Sequence, residues 1–499
     1  MAQSPSHRRD TGMKAHLNRL FKGTVTYGIG GMLQQLVSFL LLPIFTAYLT
    51  TADYGIIGIL GVVGFLVTPM LQLGIGVSTG IVYFEKENAG HRCRVTWTAL
   101  IVLLASAGAL AVAAIVFDTQ ISRLTFQNAD YAVHVRIFLA GIACTVVTQP
   151  LFLRLQFEER ARTYVTMSLS STLLIVTLNL VLVVGCDLGV MGWIVGTAIG
   201  HGVTFLALLA VVTSTTRFGV DRTIAAQLVK LGLPIVPSFA FLFLMGQSGK
   251  YMLQWHHGLG IAGVFEIGFR FGGIASLFVG AFNTAWFPFF QSFTNKQEEA
   301  RELFGRIFTY YTMILGSLCV LAFLLARPAI LLMTQPEYFE AYGVIGLVAV
   351  ANVFIGVTSC FSPGVYYARR VYLITVVQLV SAIIVVTANV LLIPDYGLTG
   401  TAVAMLLGYI AMAVLLQIVN RTGKHFIPNY QWRRVFRVAL VSVATVALVQ
   451  VLDHRLSDIQ YMVTCPLLAA AYGAVLWYLI SSEERSYVRG YFRRFRQAS

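Results

Sequence analysis

Charged residues are scarce in this chain. Only 11% of its 499 residues are Asp, Glu, Lys or Arg, whereas 57% are hydrophobic. Soluble domains average about 25% charged residues, so this chain has too few polar side chains to cover a globular surface in water. The shortage of charge excludes a soluble protein and indicates a chain that is embedded in a lipid bilayer.

Acidic residues and paired cysteines are also few. The 35 Lys and Arg residues outnumber the 21 Asp and Glu residues and give a formal net charge of +14. Most of the basic residues lie in short loops between apolar stretches, a pattern that indicates membrane topology and no nucleic-acid partner. The six cysteines are scattered without a C-x-x-C pair, and the glycine-rich segments follow no predicted strand. We therefore expect no metal site, no disulfide framework and no cofactor.

Fourteen apolar stretches are long enough to cross the hydrocarbon core, which takes roughly 20 residues. Their approximate limits are 24–49, 54–84, 95–117, 132–153, 164–186, 189–213, 229–253, 259–290, 305–326, 341–366, 371–393, 397–420, 436–452 and 460–480. Lys and Arg accumulate on one side when the N-terminus is placed in the cytoplasm, so both termini are predicted to be cytoplasmic. The sequence thus predicts an all-α integral membrane protein with about fourteen transmembrane helices.

One segment of the sequence occurs twice, about 208 residues apart: 187–200 is matched by 395–408. Both copies carry small residues at every fourth position, which predicts tight packing of one helix against another. These positions are Gly192, Gly196 and Gly200 in the first copy and Gly400, Ala404 and Gly408 in the second. The duplication predicts two six-helix lobes that are related by an axis along the membrane normal.

The repeat also divides the chain into predicted domains. They are a basic cytoplasmic N-terminus at 1–22, an N-lobe at 23–220, a C-lobe at 221–422, and a segment at 423–499 with two further helices and a basic cytoplasmic C-terminus. The last two helices are an addition outside the symmetry of the two lobes.

Several short motifs follow one another in a characteristic order. They are Asp53-Tyr54-Gly55, the break Leu73-Gly74-Ile75-Gly76, Gly263-Val264-Phe265 and the two turns of the form Asp-x-Gly-x-x-Gly. In this order they resemble the polysaccharide transporters, the Wzx-type lipid-linked oligosaccharide flippases of the multidrug/oligosaccharidyl-lipid/polysaccharide superfamily. The resemblance covers essentially residues 15–480.

The resemblance implies a fold and a function. It implies two lobes arranged in a V, a cationic central cavity that opens alternately to each side, and a lipid groove beside the last two helices. The implied substrate is an undecaprenyl-diphosphate-linked oligosaccharide, moved from the cytoplasmic to the outer leaflet of a bacterial inner membrane for exopolysaccharide or O-antigen-type polymer synthesis. The expected partners are this lipid-linked oligosaccharide, membrane lipids, a polysaccharide polymerase and a chain-length regulator.

Arg270 is the most deeply placed charge in the apolar sequence. It lies roughly ten residues into the eighth stretch, near mid-membrane, where an Arg costs on the order of 3 kcal/mol. One interpretation is that Arg270 faces a water-filled cavity and holds a diphosphate by two parallel hydrogen bonds. The other is that Glu266, at position i−4, neutralises Arg270 as a structural ion pair. The two interpretations are compatible, because an ion pair that faces a cavity can open to admit an anion.

The other candidate site residues are also polar side chains in or beside apolar stretches. Glu266 is a candidate for proton coupling, although a carboxylate that is paired with Arg stays ionised and carries protons poorly. Lys250 either binds the sugar head group or extends its ammonium to the interface. Lys22 and Lys230 either flank the cytoplasmic entrance or follow the positive-inside bias alone. The candidates for hydrogen bonds to sugars, each of which could instead link two helices, are Gln34, Gln35, Gln247 and Asn283.

Three other functions remain as alternatives. A multidrug or cation antiporter of the same superfamily fits poorly, because the first six stretches hold no acid in their apolar core and the one deep charge is positive. A lipid II flippase is harder to exclude, although that family has several basic residues within its N-lobe helices. A membrane glycosyltransferase or polymerase needs catalytic groups on a sizeable outer loop, whereas the outer connections here are short. We therefore expect a transporter and not an enzyme.

Overall fold

The computed structural model describes residues 37, 40–86, 88–158, 160–214, 216–294, 296–453 and 455–479. All regular structure within these residues is helical, in agreement with the predicted all-α fold. The α-helices are α1 (Leu42–Tyr48), α2 (Thr51–Gln72), α3 (Ile75–Phe84), α4 (Ala89–Val116), α5 (Asp118–Phe126), α6 (Ala132–Phe157), α7 (Ala161–Leu180), α8 (Gly189–Thr213), α9 (Arg222–Gly232), α10 (Val236–Gly272), α11 (Ile274–Gln291), α12 (Gln297–Met333), α13 (Tyr342–Phe361), α14 (Pro363–Tyr367), α15 (Tyr372–Thr422), α16 (Trp432–Asp453) and α17 (Asp458–Leu479).

The helices follow the predicted apolar stretches. In the described part of the chain, 10 helices are long and apolar enough to cross a membrane, and the bent pair α10 and α11 brings the number to 11. Two of these helices each cover two predicted stretches, because they continue across backbone breaks at Gly258 in α10 and at Gly397 in α15. Most of the first stretch lies outside the described residues. The chain is therefore a multi-pass membrane protein, and the number of fourteen spans stays a prediction.

The break predicted at Leu73-Gly74 is confirmed. Both residues have left-handed backbone angles, with φ of 51° at Leu73 and 66° at Gly74, and they separate α2 from α3. Gly74 lies against the backbone of Gly232, the last residue of α9, and a Cβ on either glycine would overlap the other segment. The glycines therefore let two backbones approach where a side chain would hold them apart.

Helix α9 has a defined start. Asp221 is its N-cap and accepts a hydrogen bond from the backbone N–H of Thr223. Hydrogen bonds from Thr223 hold the pKa of Asp221 below its ordinary range. The side chain of Gln227 donates to Glu85 at 2.7 Å, so α9 is tied to the residue that follows α3.

The first of the two predicted glycine stripes is a packing face. Gly192 and Gly200 of α8 lie against the preceding helical segment, where added Cβ atoms would meet the carbonyl oxygen of Leu182, at 2.8 Å, and the side chain of Ile175. Packing at this distance requires glycine, since real Cβ atoms need more room. The stripe on α8 is therefore a helix-to-helix contact, as its spacing predicted.

The second stripe makes the same contact in the second copy of the repeat. Gly400 of α15 lies against the backbone of Leu392, and Gly408 lies against the side chain of Val385. Both partner residues lie 210 residues after their first-copy counterparts, Leu182 and Ile175, which is two residues more than the interval between the glycines. The repeated turns also match, because Gly189 and Gly397 both have positive φ values, of 53° and 47°. The duplication is thus one of structure as well as of sequence.

Contacts divide the chain into two compact units, Met1–Gly263 and Val264–Ser499. The division falls inside α10, shortly after the break at Gly258. The lobe limits that the sequence predicted at 220 and 422 remain predictions.

Helices α16 and α17 dock on α12 within the second unit. Val320 and Leu324 of α12 pack with residues of α16 and α17 in one buried cluster, completed by Val449, Tyr461, Cys465 and Tyr472. At one end of this cluster, Arg327 binds Asp453 at 2.8 Å and Asp458 at 2.5 Å. One guanidinium therefore joins α12 to both of the last two helices.

Candidate functional site

Helix α10 carries four of the candidate site residues: Gln247, Lys250, Glu266 and Arg270. The break at Gly258, with φ of 85° and ψ of 174°, separates them into two pairs. Gln247 and Lys250 lie before the break in the first unit, and Glu266 and Arg270 lie after it in the second. Each pair is therefore described within its own unit.

Glu266 and Arg270 form the ion pair that their spacing predicted. The Arg270 Nε donates to the Glu266 Oε1 at 2.8 Å. The Glu266 side chain is only 10% exposed, whereas the Arg270 side chain is 36% exposed. The carboxylate is thus inside the protein, and the guanidinium that it holds reaches toward the surface of the unit.

The face of α10 that bears this ion pair is turned away from its contact with α13. Gly268 and Gly272 pack against the start of α13, since added Cβ atoms would lie 2.8 Å from the Ala341 carbonyl oxygen and 2.7 Å from that of Ile345. At about 100° per residue, Glu266 and Arg270 lie about 120–160° around the helix from these glycines. The charges therefore point away from α13, and the glycines fix that orientation.

Arg270 also lies close to the end of its helix. It is followed by Gly272 and by the break at Gly273 that separates α10 from α11. Counted from Gly258, Arg270 is about 18 Å along the helix, and the bent pair α10 and α11 is long and apolar enough to cross a membrane. A charge within a membrane span requires a counter-ion or water, and Glu266 supplies the counter-ion.

A polar stripe occupies the first half of α10. Gln247, Lys250 and Gln254 fall at i, i+3 and i+7, within about 60° of one another around the helix. Lys250 and Gln254 are buried, at 7% and 6% exposure, and Gln247 is partly buried. We call these three residues the polar stripe.

Two acceptors of the polar stripe have no hydrogen-bond partner. The Oε1 atoms of Gln247 and Gln254 are both buried and unpaired. A buried acceptor without a partner costs about 1–3 kcal/mol, so such atoms call for an explanation. Sequence reasoning missed Gln254, although its spacing of seven residues from Gln247 placed it on the same helical face.

The other candidates are dispersed. Asn283 lies on α11, partly buried, and its Oδ1 has no hydrogen-bond partner. Lys230 is exposed in the last turn of α9. Lys22, Gln34 and Gln35 lie outside the described residues.

Comparison with known families gives one match over more than half of the chain. The model of a family described as polysaccharide biosynthesis protein matches residues 20–294. An uncharacterised membrane protein of Methanocaldococcus jannaschii is 22% identical over 234 residues, which is 46% of either chain. The alignment thus spans about half the length of this curated relative.

Solved structures show the same fold over most of the chain. The lipid II flippase MurJ, in an inward closed conformation, aligns with a TM-score of 0.73 at 12% identity and covers 91% of this chain and 99% of its own. An inward-facing multidrug resistance transporter of the MATE family and MOP superfamily aligns with a TM-score of 0.68 at 16% identity, covering 78% of this chain and 94% of its own. At these identities the likeness establishes the fold.

Proposed function

Because the chain belongs to the polysaccharide biosynthesis protein family, we propose that it is a flippase for a lipid-linked oligosaccharide. In this proposal it moves an undecaprenyl-diphosphate-linked oligosaccharide from the cytoplasmic to the outer leaflet of a bacterial inner membrane. The single observation that carries the proposal is Arg270, held by Glu266 on the helix face away from α13, within a bent helix pair that is long and apolar enough to cross a membrane.

The chemistry of Arg270 suits a diphosphate. A guanidinium presents parallel N–H donors that match phosphate oxygens, and it stays charged at any physiological pH. A diphosphate that reaches Arg270 competes with the Glu266 carboxylate for the same donors. We propose that the ion pair opens when substrate binds and closes when substrate leaves, so that Arg270 is never left without a partner in the membrane.

Proton coupling through Glu266 depends on the state of its ion pair with Arg270. Glu266 accepts a hydrogen bond from Arg270 at 2.8 Å, so a proton-coupling role for its carboxylate requires the ion pair to open. Proton uptake by Glu266 would thus be confined to the state in which the diphosphate holds Arg270. Transport without any coupling ion fits the same geometry.

Alternating access suits the construction of the lobes. In each copy of the repeat, glycines hold a helix pair at backbone contact distance. Helices packed in this way move together, as a lobe that rocks about a fixed site requires. We propose that this rocking moves the head group across the membrane, with the polyprenyl chain remaining in lipid.

Among the alternatives, the lipid II flippase has a supporting observation. The fold likeness to MurJ covers 91% of this chain. The family match and the scarcity of basic residues within the apolar stretches of the N-lobe favour an oligosaccharide that is not lipid II. A cationic drug is disfavoured because Glu266, the acid of this ion pair, already has Arg270 as its counter-ion, and we infer no enzymatic activity.

The proposed function predicts the consequence of removing the protein. In a clean deletion, lipid-linked oligosaccharide should accumulate in the cytoplasmic leaflet, because its synthesis continues while its export stops. The polymer should be absent while glycosyltransferase activity in isolated membranes stays intact. Extraction of lipid-linked sugars and polymer analysis measure both effects. Normal polymer combined with changed drug tolerance would instead favour an exporter.

The proposed orientation predicts which residues face outward. With the six native cysteines replaced, single cysteines at Gln120 and Ser457 should react with an impermeant thiol reagent added to intact cells, and cysteines at Ser214 and Thr422 should not. All four side chains are exposed, so accessibility reports the side of the membrane and not burial. Labelling at Ser214 without labelling at Gln120 would show that the orientation of the protein in the membrane is the reverse of the proposed one.

A further inference from the structure

We propose that the polar stripe of α10, Gln247, Lys250 and Gln254, is the saccharide subsite of the flippase. The proposal rests on the proposed function and adds to it the residues that recognise the sugar. In this subsite, the two glutamine carbonyl oxygens accept hydrogen bonds from sugar hydroxyl groups. The stripe selects among head groups.

The unpaired atoms of the stripe define the chemistry of its ligand. Both are side-chain carbonyl oxygens, at Gln247 and Gln254, so the group that satisfies them must be a hydrogen-bond donor. A saccharide offers many hydroxyl donors at close spacing. The prenyl chain and the ionised diphosphate offer none. The stripe is therefore matched to the sugar and not to the rest of a lipid-linked substrate.

The spacing of the stripe suits a ligand larger than one sugar ring. The Gln247 and Gln254 positions are about 10 Å apart along the helix, which is about the length of two hexose units. Lys250 lies between them and places a cation along the same line. A head group that carries an acidic substituent on this part of the chain gains a charge-assisted contact.

The local surroundings locate the stripe beside α2 in the first unit. The Phe243 ring lies 6.5 Å from the Phe65 ring, and the Leu259 carbonyl lies against Gly55. The stripe falls between these two contact points along α10. In this conformation Gln254 is 6% exposed, so a ligand reaches its acceptor only when the surrounding helices separate.

Binding of two probes to the purified protein tests the subsite. The probes are farnesyl diphosphate and farnesyl diphosphate that carries N-acetylglucosamine, which differ only in the sugar. The wild-type protein should bind the sugar-bearing probe more tightly. Gln254→Leu should reduce that preference about 5- to 10-fold, the effect of one lost hydrogen bond, and leave the Kd of the sugar-free probe unchanged. Gln247→Leu should act in the same direction.

Gln417→Leu is the matched control. Gln417 is 8% exposed, and neither its Oε1 nor its Nε2 has a hydrogen-bond partner, but it lies near the end of α15 and outside the stripe. This variant should keep the wild-type preference for the sugar-bearing probe. Gln254→Leu and Gln417→Leu should each have a Tm at or above that of the wild type, because each removes an unpaired buried polar group.

Other binding results would contradict either the saccharide subsite or the flippase proposal. Equal binding of both probes by the wild type would overturn the subsite while leaving the flippase proposal intact. Binding of neither probe by the wild type would count against the proposed function itself. A Gln254→Leu variant that binds both probes like the wild type, or that loses both alike, would show that Gln254 does not contact the sugar. If Gln254→Leu does not fold, Gln247→Leu carries the same test.

Discussion

Arg270→Ala is expected to abolish transport and, because it leaves the buried Glu266 carboxylate without its counter-ion, to lower the abundance of the protein in the membrane. Truncating one partner of a hydrogen-bonded charge pair costs about 2–5 kcal/mol, which corresponds to a loss of diphosphate affinity of at least about 30-fold. Arg270→Lys should keep partial activity, because an ammonium attracts the anion but cannot form the two parallel hydrogen bonds of a guanidinium. Polymer production in complemented deletion cells, together with immunoblots of membranes, measures both quantities.

The double variant Glu266→Gln with Arg270→Gln separates a substrate-binding role from a structural one. The single Arg270→Ala change leaves the buried Glu266 carboxylate without its counter-ion, so loss of activity in that variant has two explanations. Removing both charges spares the protein an unpaired ion and should preserve folding. A binding role predicts a stable and inactive double variant. Near-normal transport by a folded double variant would show that the pair is structural, and the cation would then have to be sought at Lys250 and Lys230.

The sequence was sufficient to predict those features that depend on local spacing. The ion pair follows from a separation of four residues on one helix, and the structure forms it at 2.8 Å. The break at Gly74 and the turn at Gly397 follow from glycines that interrupt apolar stretches, and both have positive φ values. The glycine stripes follow from a period of four. In each case the sequence alone contains the geometry, because both partners belong to one helix or to adjacent helices.

Features that depend on distant parts of the chain could not be predicted in this way. Spacing could not pair Arg327 with Asp453 and Asp458, because these partners are 126 and 131 residues away. Gln254 was missed for a related reason. Its spacing is visible in the sequence, but its importance comes from being buried without a hydrogen-bond partner, and burial depends on what other helices contribute. The number of spans was also uncertain, since α15 continues through the break at Gly397.

Gly400→Ala is expected to be among the most destabilising single substitutions in the second unit. The added methyl group would overlap the carbonyl oxygen of Leu392 and lie 2.8 Å from its carbonyl carbon. These are backbone atoms, which cannot rotate away, so the two segments of α15 must separate. Overpacking of this kind costs about 1–3 kcal/mol, and backbone contact places Gly400→Ala at the upper end. Thermal unfolding of the purified protein in detergent measures the loss.

Two matched substitutions show whether the packing contact is the cause. Gly192→Ala, at the equivalent position of the first copy, should lower the Tm less, because its Cβ would lie 2.8 Å from the Leu182 carbonyl oxygen and a small shift relieves the contact. Gly473→Ala should be neutral or stabilising, since nothing lies within 4 Å of the added atom and Ala is favoured over Gly in a helix by roughly 0.5–1 kcal/mol. A Gly400→Ala protein that unfolds at the same temperature as Gly473→Ala would rule out a tightly packed pair. The lobe could then not move as a rigid body through that contact, and the alternating-access proposal would lose its structural support in the second unit.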